Sequence, residues 1–74
     1  MISYEPFYET LRKKRVTEYV LIFKKGINPN TLYRMKQGCP ITTKTINDLC
    51  RILDCEVSDI LKYEKTKQKT EDAQ

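Results

Sequence analysis

Apolar residues recur along most of this chain at spacings of three and four, the period of an amphipathic helix. Phe7 and Leu11 predict a first helix over residues 6–15, with Tyr4 or Tyr8 extending its buried stripe. No segment shows the strict apolar–polar alternation that indicates a half-buried strand. The pattern therefore predicts an all-α protein.

Two closely spaced helices follow the first. A second helix is predicted over residues 17–25, where an apolar run follows Thr17 and the Thr17 hydroxyl can cap the helix. Gly26 can adopt the positive φ that ends a helix. Asn28 and the proline after it supply the cap and first position of a third helix over residues 29–37. Two short helices joined by a glycine-containing turn of about three or four residues are typical of a helix-turn-helix.

The rest of the chain predicts two more helices and a tail. Thr42 or Thr43 caps a fourth helix that extends to Leu53, and a short fifth helix follows Glu56. The side chains predicted to face inward from these two helices are Ile46, Leu49, Cys50, Leu53, Val57, Ile60 and Leu61. Residues 64–74 carry no large apolar side chain and are predicted to be disordered. The expected fold is one domain over residues 1–63, a compact bundle of about five short helices.

The polar side of the third helix differs from an ordinary solvated surface. At about 100° per residue, Leu32 and Met35 share one side of the helix. The opposite side, termed the reading face, carries Asn30, Tyr33, Arg34 and Gln37. Asn and Gln pair with adenine through two hydrogen bonds, and Arg pairs with guanine in the same way. Because this side holds no acidic residue, the pattern favours base recognition over a merely solvated surface.

Positive charge is concentrated around the helix-turn-helix. The whole chain carries a net charge of +4, but residues 12–44 hold nine Lys and Arg against Glu18 alone, a local charge of +8. Such a segment suits a phosphate backbone. The four cations at 12–15 are equally well explained by the dipole at a helix C-terminus. Lys36, within the basic segment, is a candidate phosphate contact.

Composition gives little support to an enzyme or a metal protein. The 74 residues include no His and two Gly, so no catalytic residue, cofactor or metal site is expected. Cys50 and Cys55 lack the spacing of a zinc knuckle, and Cys50 is expected in the core. A redox-sensing thiol at Cys39 is the less favoured alternative. The chain shows no membrane-spanning stretch and no signal-peptide layout, which predicts a cytoplasmic protein.

Three segments resemble the lambda-repressor-like, Cro-type helix-turn-helix family, and within it small stand-alone bacterial regulators. They are ISYEPFYETL, GINPNTLYRMKQG and TINDLCRILDCEVSDIL, and together they cover nearly all of residues 2–63. The resemblance implies five helices, with the third in the major groove of DNA. It places base-reading positions on Pro29, Asn30, Thr31 and Arg34, with Tyr33 close by, and phosphate contacts on Gln37, Thr43 and Lys44.

The chain departs from the pattern of that family in three respects. Glu18 stands where many relatives carry Gln, and a phosphate would repel it unless a nearby Lys or Arg pairs with it. Ile22 stands where a small residue usually lets the two helices approach, so the second helix is rotated or Ile22 packs elsewhere. Tyr19, Val20 and Phe23 replace polar residues. Tyr19 and Phe23 either extend the core or form a protein contact with a second copy or a regulatory partner.

The sequence thus predicts a regulator of transcription that binds specific sites in double-stranded DNA. We expect a repressor that binds as a homodimer, at least on DNA, because one short helix contacts few base pairs. The alternative is a protein-interaction module or antitoxin-like partner that uses the apolar face of helix 17–25.

Overall fold

The computed structural model describes residues 1–65 of the chain. Its helices are α1 (Glu5–Lys14), α2 (Glu18–Phe23), α3 (Pro29–Lys36) and α4 (Thr43–Leu53), followed by a 3₁₀ turn at Val57–Asp59. The predicted all-α fold class is confirmed, although the predicted fifth helix is only this turn. No helix in the described residues is long and apolar enough to cross a membrane.

Local capping explains where the helices begin. The Thr17 hydroxyl accepts a hydrogen bond from the Val20 amide at 3.2 Å, and the Thr42 hydroxyl accepts one from the Thr45 amide at the same distance. These bonds satisfy amides that have no acceptor within the helix. Gly26, with φ of 79°, follows α2, which ends at Phe23, two residues before the predicted end.

A small antiparallel sheet joins the two ends of the domain. Strands β1 (Ile2–Ser3) and β2 (Lys62–Tyr63) pair with Ile2 opposite Tyr63, a small addition to the helical fold that the sequence pattern did not predict. Strands of two residues are too short to show a period in the sequence, and their pairing depends on the helices that bring the ends together. The Glu64 amide also donates to the Met1 carbonyl at 2.8 Å. The disorder predicted for residues 64–74 stays a prediction, because residues 66–74 lie outside the described part.

One core holds the helices and the 3₁₀ turn together. Its buried side chains are Tyr4, Phe7, Leu11, Leu21, Leu32, Met35, Leu49, Leu53 and Ile60. Cys50 is half-buried against this cluster. Val57, predicted to face inward, is 53% exposed, because the segment forms a short 3₁₀ turn that buries Ile60, as predicted, but leaves Val57 at the surface. The buried Thr10 hydroxyl donates to the Asp59 carbonyl at 2.7 Å and so ties α1 to the turn.

Candidate nucleic-acid interface

Helix α3 is seated on the core by one side only. Leu32 and Met35 are 3% and 2% exposed, whereas all four side chains of the reading face are exposed. The Asn28 side chain caps the helix by accepting a hydrogen bond from the Asn30 amide at 2.8 Å. This bond orients the first turn of α3. Asn30 and Arg34, one helical turn apart, are therefore presented together on the solvent-accessible side of the helix.

The other predicted contact residues lie around this face or at the start of α4. Pro29, Lys36, Thr43 and Lys44 are exposed, and Thr31 is half-buried. Helix α3 ends at Lys36, so Gln37 follows its last turn, and the Gln37 amide donates to the Tyr33 carbonyl at 3.1 Å. Thr43 and Lys44 begin α4, where first-turn amides have no acceptor within the helix and can donate to a phosphate.

Both lysines predicted to contact phosphates are paired with carboxylates. The Lys36 Nζ lies 3.6 Å from Glu18 Oε2, an ion pair that joins α3 to the start of α2. Lys36 is thus the nearby cation without which a phosphate was expected to repel Glu18. The Lys44 Nζ donates to Asp48 Oδ2 at 3.0 Å. Sequence reasoning missed this second pair, although its spacing of four residues on one helix was a usable signal.

Asp48 binds two cations rather than one. Besides Lys44 it accepts a hydrogen bond from Arg51 at 3.3 Å. The hydrogen bond from Lys44, followed by that from Arg51, lowers the pKa of the Asp48 carboxyl below its usual value against an opposing effect of burial. This carboxylate therefore stays ionised and keeps the start of α4 less positive than the sequence suggests.

The aromatic residues of α2 face solvent. Tyr19 and Phe23 are 62% and 70% exposed, and their ring centroids lie 4.7 Å apart. The interpretation that they extend the core is wrong. Leu21 is the buried residue of α2, and side chains two positions away on either side lie about 160° from it around the helix. Ile22 is half-buried against the core, which accommodates its size.

Two tyrosines of the N-terminal region lie near the ends of α2 and α3. The Tyr4 hydroxyl donates to the Cys39 carbonyl at 2.7 Å and so ties the segment before α1 to the loop after α3. The Tyr8 hydroxyl is buried without a hydrogen-bond partner among the described residues. Burial, and then the charge of Glu18, raise the pKa of Tyr8. The sequence gives no signal for the bond between Tyr4 and Cys39 or for the effect of Glu18 on Tyr8, because each involves residues that are distant along the chain.

The three cysteines are free and half-buried. Burial, followed by the nearby Cys50 and Asp59, raises the pKa of Cys55 to about 11. This thiol is therefore almost wholly protonated at neutral pH, a state that disfavours reaction and metal binding. Within residues 1–65 no group of three or more potential ligand side chains could hold a metal ion.

Comparison with known proteins bears on the fold and on the family. A family model described as the Cro/C1-type HTH DNA-binding domain matches residues 9–66, which is more than half of the chain. The crystal structure of transcriptional regulator VanUg, form II, matches with a TM-score of 0.75 and 18% sequence identity, over 82% of this chain and 81% of that chain. At this identity the likeness shows the fold. No curated protein matches the chain.

Proposed function

The chain belongs to the Cro/C1-type helix-turn-helix DNA-binding domain family, and we propose that it is a non-enzymatic repressor of transcription in the bacterial cytoplasm. In this proposal α3 enters the major groove of a specific double-stranded DNA site. The observation that carries the proposal is the reading face, four exposed side chains without an acid on a helix that is anchored by Leu32 and Met35.

The predicted contact residues take two roles in this proposal. Asn30 and Arg34 make the principal base contacts, since the Asn amide offers one donor and one acceptor to adenine and the guanidinium offers two donors to guanine. Pro29, Thr31 and Tyr33, on the same helix, are assigned further base contacts. The residues assigned to phosphates are Lys36, Gln37, Thr43 and Lys44. Phosphate contacts fix the position of the protein on the duplex, and base contacts choose the sequence.

The length of α3 argues for a dimer on DNA. Its eight residues span about 12 Å, which corresponds to roughly four base pairs. So short a site carries little specificity. Two copies on a two-fold site would place their α3 helices about 34–36 Å apart on one side of the duplex.

Selection of sites from a random duplex library with the purified protein tests the proposal. The selected duplex is then compared with a scrambled one at about 0.15 M salt. We expect a palindromic site bound at least ~10³-fold more tightly than the scramble. Equal and weak binding of both duplexes would contradict a sequence-specific regulator.

Two substitutions at Arg34 separate base recognition from charge. Arg34→Ala should cost about 1–3 kcal/mol on the selected site and relax the preference at one base position. Arg34→Lys keeps the charge but not the paired hydrogen bonds, so it should lose the preference and retain the salt dependence. Lys44→Ala should instead weaken all sequences alike. Unchanged selectivity in Arg34→Ala would refute the assignment of α3.

A second candidate function rests on the exposed aromatic pair of α2. We propose that Tyr19 and Phe23 contact a protein partner, in the first place a second copy of this chain. Two aromatic side chains bury about 150–250 Å² each, well below the roughly 800 Å² per partner of a stable interface. The contact would therefore act when DNA already holds two copies together.

Cooperativity on the selected palindrome tests this contact. Phe23→Ser should lower cooperativity between the two half-sites while leaving the affinity for a single half-site unchanged. Tyr63→Ser, which removes an aromatic side chain that is 69% exposed on β2, is the control and should change neither quantity. Unaltered cooperativity in Phe23→Ser would exclude the contact between copies, and a tight complex with another protein would favour the antitoxin-like alternative.

A further inference from the structure

Both lysines assigned to the phosphate backbone carry a carboxylate neighbour. Lys36 is paired with Glu18 across two helices, and Lys44 is paired with Asp48 one turn further along α4. We propose that Glu18 and Asp48 restrain DNA binding by holding these lysines, and so set the affinity for DNA of any sequence. This inference rests on the proposed function, because it assigns both lysines to the surface that contacts DNA.

The pair between Glu18 and Lys36 is open to competition by a phosphate. Glu18 is the first residue of α2 and Lys36 the last residue of α3, and their side chains are 37% and 60% exposed. Exposed ion pairs of this kind are weak, so an approaching phosphate can take the lysine. While Lys36 remains paired with Glu18, an approaching phosphate meets a neutral ion pair rather than a cation. Fewer counterions are then released on binding.

The two carboxylates differ in the ion pairs that they keep when the lysine turns to a phosphate. Asp48 keeps its hydrogen bond from Arg51 when Lys44 turns to a phosphate. Glu18 has no second cation within 4.0 Å among the described residues, so the release of Lys36 costs Glu18 its whole ion pair. Glu18 is therefore the stronger restraint.

The effect of these carboxylates falls on affinity rather than on sequence preference. Phosphate contacts are shared by every duplex, whereas discrimination comes from the base edges that Asn30 and Arg34 are assigned to. Removing the restraint should raise the affinity for the selected and the scrambled duplex by the same factor.

Titration of both duplexes between about 0.05 and 0.2 M salt tests the restraint. Glu18→Gln should tighten both about three- to tenfold at the lower salt and steepen the plot of log affinity against log salt by about one. Asp48→Asn should act in the same direction with a smaller gain. Glu9→Gln is the matched control, since it makes the same charge change at an exposed α1 carboxylate that has no ion pair within residues 1–65. It should change affinity less than twofold.

A background that lacks the lysine identifies the route of the effect. In Lys36→Met, the added Glu18→Gln should give a gain no larger than that of Glu9→Gln. A full gain in that background would show that position 18 acts on DNA without Lys36, through repulsion by the carboxylate or a phosphate contact of the new amide. Equal gains from Glu18→Gln and Glu9→Gln would reduce the effect to net charge. Either result overturns the inference. Glu18→Ala provides a second neutral variant if circular dichroism shows a loss of helix in Glu18→Gln.

Failure of the proposed function would have a different signature. Wild-type protein would then prefer neither duplex, and Arg34→Ala would behave like wild type. The comparison of Glu18→Gln with Glu9→Gln on the scrambled duplex would still decide whether the carboxylate restrains binding to the DNA backbone.

Discussion

Two neighbouring side chains of the C-terminal segment should respond very differently to truncation. Ile60 is fully buried, whereas Val57, at the start of the same 3₁₀ turn, is 53% exposed. The turn packs against α1 and α4, and the hydrogen bond from Thr10 to the Asp59 carbonyl holds it in place. Replacing Ile60 by Ala would therefore leave a cavity that this short segment cannot easily fill.

The cost can be set against the stability of a domain of this size. Truncation of a fully buried Ile to Ala costs about 2–5 kcal/mol, since lost burial and the cavity both contribute. For 74 residues the whole free energy of unfolding is roughly 4–11 kcal/mol. Ile60→Ala should thus remove a large part of the stability. Val57→Ala, at a side chain that is already half in water, should change it by less than about 0.5 kcal/mol.

Urea denaturation followed by circular dichroism measures both variants. With a slope of about 1 kcal/mol per molar urea, Ile60→Ala should lower the midpoint by about 2 M or more, and Val57→Ala by less than about 0.5 M. Ile60→Val, which removes one methylene group, should fall between them at about 0.5–1.5 kcal/mol. Equal costs for Ile60→Ala and Val57→Ala would contradict the structure, in which Ile60 is buried and Val57 is exposed.

Two further predictions concern a hydrogen bond and alkaline pH. Tyr4→Phe removes the only side-chain hydrogen bond to the Cys39 carbonyl in the described residues, which should cost about 1–2 kcal/mol and lower the Tm by at least about 4 °C in a thermal scan. A shift below about 1 °C would show that water replaces the hydroxyl. Folding raises the pKa of both Cys55 and Tyr8 above the values of 9.0 and 10.0 that apply in the unfolded chain. Each group therefore contributes its full stability below its unfolded pKa, and this contribution is lost as pH rises through its folded pKa. Urea midpoints should therefore fall above pH 9, and less steeply between pH 9 and 11 in Cys55→Ala; an equally steep fall in that variant would contradict the assignment to Cys55.

The positions of the four helices and the composition of the reading face could be predicted from sequence alone. Caps such as Thr17 and Asn28 act on amides two or three residues away, so their effect is local and visible in the sequence. The sides of α3 follow in the same way, because Leu32 and Met35 define the buried stripe and the helical period places the polar residues opposite. Resemblance to the family added the contact positions that lie outside this face.

Other features were decided by contacts between parts of the chain that are distant in sequence. The exposure of Tyr19 and Phe23 depends on which side of a six-residue helix meets the core, and an almost wholly apolar run does not specify that side. The pairing of β1 with β2, and of Glu18 with Lys36, exists only because packed helices bring these segments together. Local propensity and periodicity therefore determined the helices and their polar faces, whereas the tertiary structure decided the neighbours of each charge and of each exposed aromatic ring, because those neighbours come from other elements.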